Sequence, residues 1–279
     1  MSQHITQIKN RKKAVSGVKK ITNAMKLVST IKLQKFRNQM AANKIYSDTL
    51  SDILSCVYSS LNEKDRKYFE VNNDVDKNLY IIVSSTLGLC GAYNYNIFEV
   101  AEANIKSEDD AIILGKKGIS YFKNNEFTKI DGFQDYESTN DEKIIQVLSN
   151  FVLSAYSKGA YKEIHLIYTS YKNSIVFTAK DSCLLPISPK INENGYGPIL
   201  EPNGKELLKE ILPMYVRSYV YSKLLESEVC EHASRTNAMS AASDNANEIL
   251  NKLQLEFNKA RQAAITEQIT EIVGAANSL

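Results

Sequence analysis

At 279 residues, 43% of them hydrophobic, the chain has room for one or two domains with a real core. No stretch approaches the ~18 apolar residues of a membrane span, and no apolar run like a signal peptide's follows the basic start. The expectation is a cytosolic chain, able to lie at a membrane surface. The net charge of +2 hides an asymmetry: eleven Lys or Arg residues, Lys9 to Lys44, precede the first carboxylate, Asp48, which leaves the rest of the chain at −9.

The first element is a long helix. From His4 to about Leu61 only Gly17 interrupts it. Ile5, Ile8, Val15, Val18, Ile21, Met25, Val28 and Ile31 recur at threes, fours and sevens, which is helical and not strand periodicity. Its basic residues circle the helix, and no aromatic precedes Phe36. That block seeks an anionic surface, whether acidic protein loops, lipid or nucleic acid, although a groove-reading stripe is missing. A solvated basic face is the plainer alternative.

The texture changes at about Asn78. Leu79–Val83 is a short apolar run of buried-strand type. A glycine turn follows, then a helical stretch over about 94–105, a strand over 111–114 and a short helix over 115–122. Residues 141–156 carry helical periodicity, and 163–169 and 174–178 read as strands joined by a turn near Lys172-Asn173. Strands alternating with helices predict a mostly parallel sheet covered on both faces. All five prolines fall between Pro186 and Pro213; with Gly195, Gly197 and Gly204 they predict a linker, and Pro213 suits the first turn of the next helix.

That last helix is the longest feature. Met214 to Val273 contains no proline and no glycine. Its seam steps by threes and fours: Leu225, Val229, His232, Thr236, Met239, Ser243, Ala246, Leu250, Leu253, Phe257, Ala260 and Ala264. A 3.5-residue repeat keeps one face on a partner helix. At 1.5 Å per residue such a rod would be on the order of 90 Å long, beyond the span of a domain of this size. The first helix is the natural antiparallel partner. His232, Thr236, Ser243 and Ala246 make the seam small or polar, either a mediocre coiled coil or a rod kept slim to pass through other proteins.

Catalytic signals are weak. Gly88-Leu89-Cys90-Gly91 lacks the spacing of a dinucleotide-binding loop and there is no phosphate-cradling lysine motif, so a tight strand-to-helix turn is the simpler reading. His165 is the one histidine in the α/β region, and the three histidines show no metal-ligand spacing. Cys56, Cys90, Cys183 and Cys230 are far apart and read as free thiols.

Three blocks resemble one known family. They are Ile8-Lys9-Asn10-Arg11 with 21–29 (ITNAMKLVS), 85–94 (STLGLCGAYN), and a C-terminal set of Glu231–Arg235, Ala238–Ala246, Asn258–Thr266 and Thr270–Val273. They are similar to the gamma subunits of F-type ATP synthases, in order and over roughly a third of the chain. The resemblance implies a long antiparallel coiled coil of N- and C-terminal helices with an inserted Rossmann-like α/β domain, divided as 1–75, 76–200 and 201–279. It implies a rotor shaft, one copy inside three alpha and three beta subunits, with its foot on the epsilon subunit and the membrane c-ring. It implies no catalysis by this chain and no cofactor, metal or nucleic acid. Met25, Lys26, Arg235, Arg261, Gln262 and Thr266 would make coupling contacts, and Gly88, Leu89, Cys90 and Gly91 form the central-block turn. Two departures stand out: Thr86-Leu87 replace a common acidic–basic pair, and Ser240 stands where a lysine is common. No thiol switch is implied, and without a transit segment the expected setting is the cytoplasmic face of a bacterial membrane. The competing readings are a basic coiled-coil binder of nucleic acid or lipid, with steep salt dependence, and a dinucleotide enzyme.

Overall fold

The computed structural model describes residues 2–62, 65–66, 68–189, 201 and 203–276. They comprise α1 (Ser2–Ser59), β1 (Leu79–Val83), α2 (Tyr93–Asn104), β2 (Asp110–Leu114), α3 (Lys116–Tyr121), β3 (Thr128–Lys129), α4 (Glu142–Ser157), β4 (Ile164–Tyr171), β5 (Phe177–Leu185) and α5 (Gly204–Ala276). The chain forms two compact units, one of residues 1–30 with 235–279 and one of residues 31–234.

In the first unit α1 and α5 run antiparallel. Lys26 Nζ donates to Ser240 Oγ at 3.0 Å, Ser243 Oγ donates to Asn23 Oδ1 at 2.7 Å, and Lys12 Nζ meets Gln254 Oε1, so rising numbers on one helix face falling numbers on the other. The α5 seam read from sequence lies where expected: Met239, Ser243, Ala246 and Leu253 are buried, and Thr236, Leu250, Phe257, Ala260 and Ala264 half-buried.

The apolar positions that marked α1 as a helix are only partly the ones α5 covers. Val18, Ile21 and Val28 are 54–61% exposed. Ile5, Ile8, Lys12, Val15, Lys19, Thr22, Lys26 and Ser29 are buried or half-buried in a strict three-four alternation, with Ser16, Gly17 and Met25 half-buried beside them. Polar groups fill this seam because the facing α5 residues, Ser240, Ser243 and Gln254, are themselves polar and accept or donate hydrogen bonds. A lysine can lay its stem along a seam and carry its ammonium to the edge.

The second unit is built on a five-stranded sheet of order β3-β2-β1-β4-β5. β1 pairs in parallel with β2 and β4, and β5 closes the edge antiparallel to β4. Every residue of β1 and β2 is buried, because helices cover both faces, and this is why their sequences run apolar without alternation. One face packs Ile81, Ile112 and Leu166 against Leu148 and Val152 of α4, Leu54 and Val57 of α1, and Val216 and Val220 of α5. The other packs Tyr80, Ile82, Ile113 and Ile167 against Tyr93, Ile97 and Ala101 of α2 and Phe122. Each fully buried aliphatic or aromatic side chain contributes about 1.5–3 kcal/mol. Ile31, the last apolar position of the α1 helical pattern, is 62% exposed; Phe36, stacked on His232 with ring centroids 5.5 Å apart, is buried instead.

Two further expectations are corrected. β5 covers 177–185, well beyond 174–178, because an edge strand half open to solvent alternates polar and apolar residues and shows no apolar run. Pro213 is not in the first turn: α5 begins at Gly204, with Asn203 Oδ1 accepting from Glu206 N at 3.0 Å. Burial of Leu208 and Leu212 before the proline and Val216 after it holds the helix through the missing hydrogen bond. The middle of the expected linker, residues 190–200 and 202, lies outside the described residues.

Candidate functional site

The coupling residues implied by the resemblance fall at different levels of the first unit. Lys26 is half-buried and engaged with Ser240, and Met25 beside it is half-buried. Arg235 is buried at 3% exposure. Arg261, Gln262 and Thr266 are exposed on α5, where Thr266 Oγ1 donates to the Gln262 carbonyl at 3.0 Å. Ser240, the level of Lys26, and Arg261 are twenty-one positions apart, about 30 Å along a helix. These residues therefore form separate stations and not one cluster. The exposed Val18, Ile21 and Val28, with half-buried Met25, make an apolar stripe on α1 outside its seam.

The central-block turn is filled by its own chain. Ser85 N donates to Asn94 Oδ1 at 3.0 Å, Asn94 Nδ2 donates to Ser85 Oγ at 2.7 Å and lies 3.3 Å from Cys90 Sγ, and Ser85 Oγ donates to the Leu87 carbonyl at 2.7 Å. Cys90 is buried, and its carbonyl accepts from Ser234 Oγ of α5 at 2.6 Å. Leu89 holds φ at +62°, a left-handed conformation that a non-glycine residue adopts only under constraint. Leu87 and Leu89 point outward at 61% and 63% exposure. Where a charged pair is common in the resembling family, this chain presents apolar surface.

A set of residues that the sequence did not single out joins α5 to the sheet. Glu226 Oε1 accepts from Ser170 Oγ and Tyr171 N, both at 2.8 Å. Ser227 Oγ shares a 2.7 Å hydrogen bond with Tyr93 Oη and accepts from Thr169 N at 3.3 Å. Glu228 accepts from Thr139 N at 2.6 Å, Thr139 Oγ1 at 2.8 Å and Tyr136 Oη at 3.5 Å. Burial pushes the Glu228 carboxyl up to about 7, Glu231 adds to this, and the Thr139 and Tyr136 donors oppose it. The Tyr93 and Tyr136 phenols are driven well above their ordinary value, chiefly by burial. A signal was present: Glu226, Ser227 and Glu228 stand between Leu224-Leu225 and Val229-Cys230, in a helix that must bury there.

On β4, next to the edge strand β5, His165 lies between two acids, Nδ1 2.9 Å from Asp181 and Nε2 3.2 Å from Glu163. Burial opposes the charged ring, but the two carboxylates outweigh it and the imidazole pKa is raised. Among the described residues no group of three or more His, Cys, Asp or Glu side chains is placed to hold a metal ion. No described helix is long and apolar enough to cross a membrane.

The chain resembles known proteins along its length. The family model described as ATP synthase (ATP-synt) matches residues 4–279. The ATP synthase gamma chain of Clostridium acetobutylicum is 34% identical, over 98% of this chain and 97% of that protein. That of Staphylococcus saprophyticus is 32% identical, over 99% of both. In fold the chain is similar to a chain of the Euglena gracilis mitochondrial ATP synthase OSCP/F1/c-ring structure, with a TM-score of 0.64 at 17% identity over 100% of this chain and 95% of that one. A chain of the rotor of the same enzyme gives 0.59 at 16% identity, over 95% and 100%. With a matching family model, and with both of these bacterial relatives aligned over nearly its whole length, the chain belongs to the ATP synthase gamma chains.

Proposed function

We propose that this chain is the central shaft of an F-type ATP synthase, carrying rotation of a membrane c-ring to the ATP-forming sites of the beta subunits. The observation that carries the reading is the antiparallel coil with a small, polar seam, in a chain of this family. Small residues let the two helices approach closely, so the coil is slim. Its ties are single hydrogen bonds and its outer face is basic, which suits weak, repeatedly broken contacts with acidic loops of surrounding subunits. Exposed ion pairs are worth only about 0–1 kcal/mol each, so they do not hold a shaft at one angle.

In this reading three alpha and three beta subunits enclose the coil, ATP forms on beta, and this chain carries no catalytic group. Residues 76–200 are the foot, which meets the epsilon subunit and the c-ring; 1–75 and 201–279 supply the shaft. The stripe of Val18, Ile21, Met25 and Val28 faces the enclosing ring, which accounts for apolar side chains left outside the seam. Lys26 binds within the coil and steadies the level at which Met25 meets beta. Arg261 and Gln262, exposed, hydrogen-bond to a beta loop farther up, with Thr266 one turn beyond. The complex sits on the cytoplasmic face of a bacterial membrane, this chain peripheral to it through the c-ring.

Reconstitution tests the proposal. Mixed with the alpha and beta subunits of its own organism, the chain is expected to give a complex of three, three and one and to raise ATP hydrolysis. No complex and unchanged hydrolysis would overturn it, and salt-dependent binding to DNA or anionic vesicles then becomes the reading to measure.

A further inference from the structure

Torque entering the α/β domain must pass to a helix without the helix spinning in its seat. Three consecutive residues of α5 address this. Successive side chains on an α-helix project about 100° apart, so residues 226, 227 and 228 sweep roughly 200° of the circumference. Together they engage three parts of the second unit, with Ser227 also accepting from Thr169 N of β4 at 3.3 Å. Glu226 takes the end of β4 through Ser170 and Tyr171. Ser227 takes Tyr93 at the start of α2. Glu228 takes the segment before α4 through Thr139. We propose that Glu226, Ser227 and Glu228 form a torsional key that fixes the rotational setting of α5 in the α/β domain. The proposal rests on the shaft reading above and names the residues through which the foot drives the shaft.

The geometry is stiff to rotation. A carboxylate lies about 6 Å from the helix axis, so a twist of about 20° displaces it by about 2 Å. Such a displacement breaks the hydrogen bonds that Glu226 accepts at 2.8 Å. It does so on three sides at once, so no sideways shift of the helix restores every partner. Glu226 and Glu228 are shielded from water, with side-chain exposure of 17% for the first and residue exposure of 8% for the second. Water is a poor substitute partner there; a slipped helix would strand the buried Glu228 carboxyl, while Glu226 would lose Ser170 and Tyr171 and keep only Lys223 of its own helix, 3.3 Å away. By contrast α1 enters the same unit through Phe36, Leu50, Leu54 and Val57, and such apolar contacts have no preferred angle.

The experiment has two arms. In the full-length chain alone, amide hydrogen exchange is followed at Tyr171 and Thr139, whose N–H groups donate to Glu226 and Glu228. Glu226→Ala is expected to speed exchange at Tyr171, and Glu228→Ala at Thr139, by about tenfold or more, with β1 and β2 amides unchanged. No acceleration would overturn the key. Where Glu228→Ala fails to fold, Glu228→Met, which fills the space but offers Thr139 no oxygen acceptor, takes its place. In the assembled enzyme, the triple variant Glu226→Ala/Ser227→Ala/Glu228→Gln is expected to keep hydrolysis by the soluble complex within about twofold. ATP synthesis in vesicles, where the foot is driven under load, is expected to fall about fivefold or more. Glu226→Gln, which retains the acceptor for Ser170 and Tyr171, is expected to keep synthesis. Synthesis and hydrolysis falling in proportion, or neither falling, would overturn the key. Failure of the parent chain to assemble would overturn the shaft reading instead, and the exchange arm still decides the key.

Discussion

Glu228 makes the stability of this chain depend on pH in a way that can be calculated. Its carboxyl is pushed up to about 7, by burial first and by Glu231 after it; the groups facing it are Thr139, Tyr136, Tyr93 and Glu231. Unfolded, the same carboxyl titrates near 4.3. The folded state therefore holds a proton that the unfolded state releases between those values, and stability falls as pH rises through that window. Above both values the full cost is present, and below both it vanishes. From about pH 6 to about pH 8 one folded carboxyl near 7 loses about 1.4 kcal/mol of stabilisation. Glu228→Gln cannot titrate and lacks this dependence. The assay is urea unfolding of the full chain and of Glu228→Gln at both pH values. The difference between the two proteins is expected to change by that full amount, the parent losing ground at the higher pH. Because the comparison is made between proteins, titrating groups that do not interact with Glu228 cancel. A change of less than a third of the expected size, or one in the opposite direction, would refute the reasoning.

Other outcomes follow from separate parts of the molecule. Arg261→Ala and Gln262→Ala, both at exposed positions, are expected to weaken coupling and leave the fold intact; unchanged ATP-driven rotation and ATP synthesis in both would rule this out. His165 has a raised pKa between Asp181 and Glu163, so its contribution is complete below its unfolded value of about 6.5 and is lost as pH rises through the folded one; the stability gap between the parent and Asp181→Asn should therefore close with rising pH, and a pH-independent gap would count against the ion pair. Gly115 holds φ at +92° with a would-be Cβ 2.2 Å from the Ser84 carbonyl oxygen, so Gly115→Ala should cost about 3 kcal/mol or prevent folding, as thermal unfolding will report. Cys183 is exposed, yet burial of its sulfur and the nearby Glu163 and Asp181 push the thiol up to about 12; alkylation at pH 8 should run about a thousandfold slower than that of free cysteine, and fast labelling would contradict it.

The helices and strands differ in how far they can be read from residues. The α5 seam was legible because each of its positions is satisfied by size: every one of the twelve is buried or half-buried. The α1 seam was not, because two stripes compete on one helix. The apolar stripe of Val18, Ile21, Val28 and Ile31 satisfies the pattern search, while the covered stripe holds Lys12, Lys19, Thr22, Lys26 and Ser29. Periodicity finds apolar faces, and on α1 the most apolar face is one that the rest of the chain does not cover. β1 was legible to the residue, since burial on both faces makes the run continuous. β3 pairs through only two residues and leaves no pattern. Gly88 to Gly91 announced a turn, but Leu89 as its left-handed residue did not follow from the letters. Glu226, Ser227 and Glu228 stayed silent for another reason: their partners, Ser170, Tyr93 and Thr139, lie 56, 134 and 89 positions away, and nothing local foretells such pairs.

The polar seam of α1 also bears on how the chain is made. Lys12 and its partner Gln254 are 242 positions apart, and Asn23 and Ser243 are 220 apart. At a synthesis rate of about 5–20 residues per second, the N-terminal helix waits roughly 12 to 50 seconds after it is made before its partner exists. A seam of leucines and isoleucines would spend that interval as an adhesive strip, ready to pair with the same strip on a neighbouring nascent chain. Lysine, threonine and serine at those places hydrate well on their own, and Lys12, Asn23 and Lys26 find their partners only when Gln254, Ser243 and Ser240 arrive. The loss in final coil stability is thereby matched by safety during birth, and the closing of the coil becomes the last event in the life of the nascent chain.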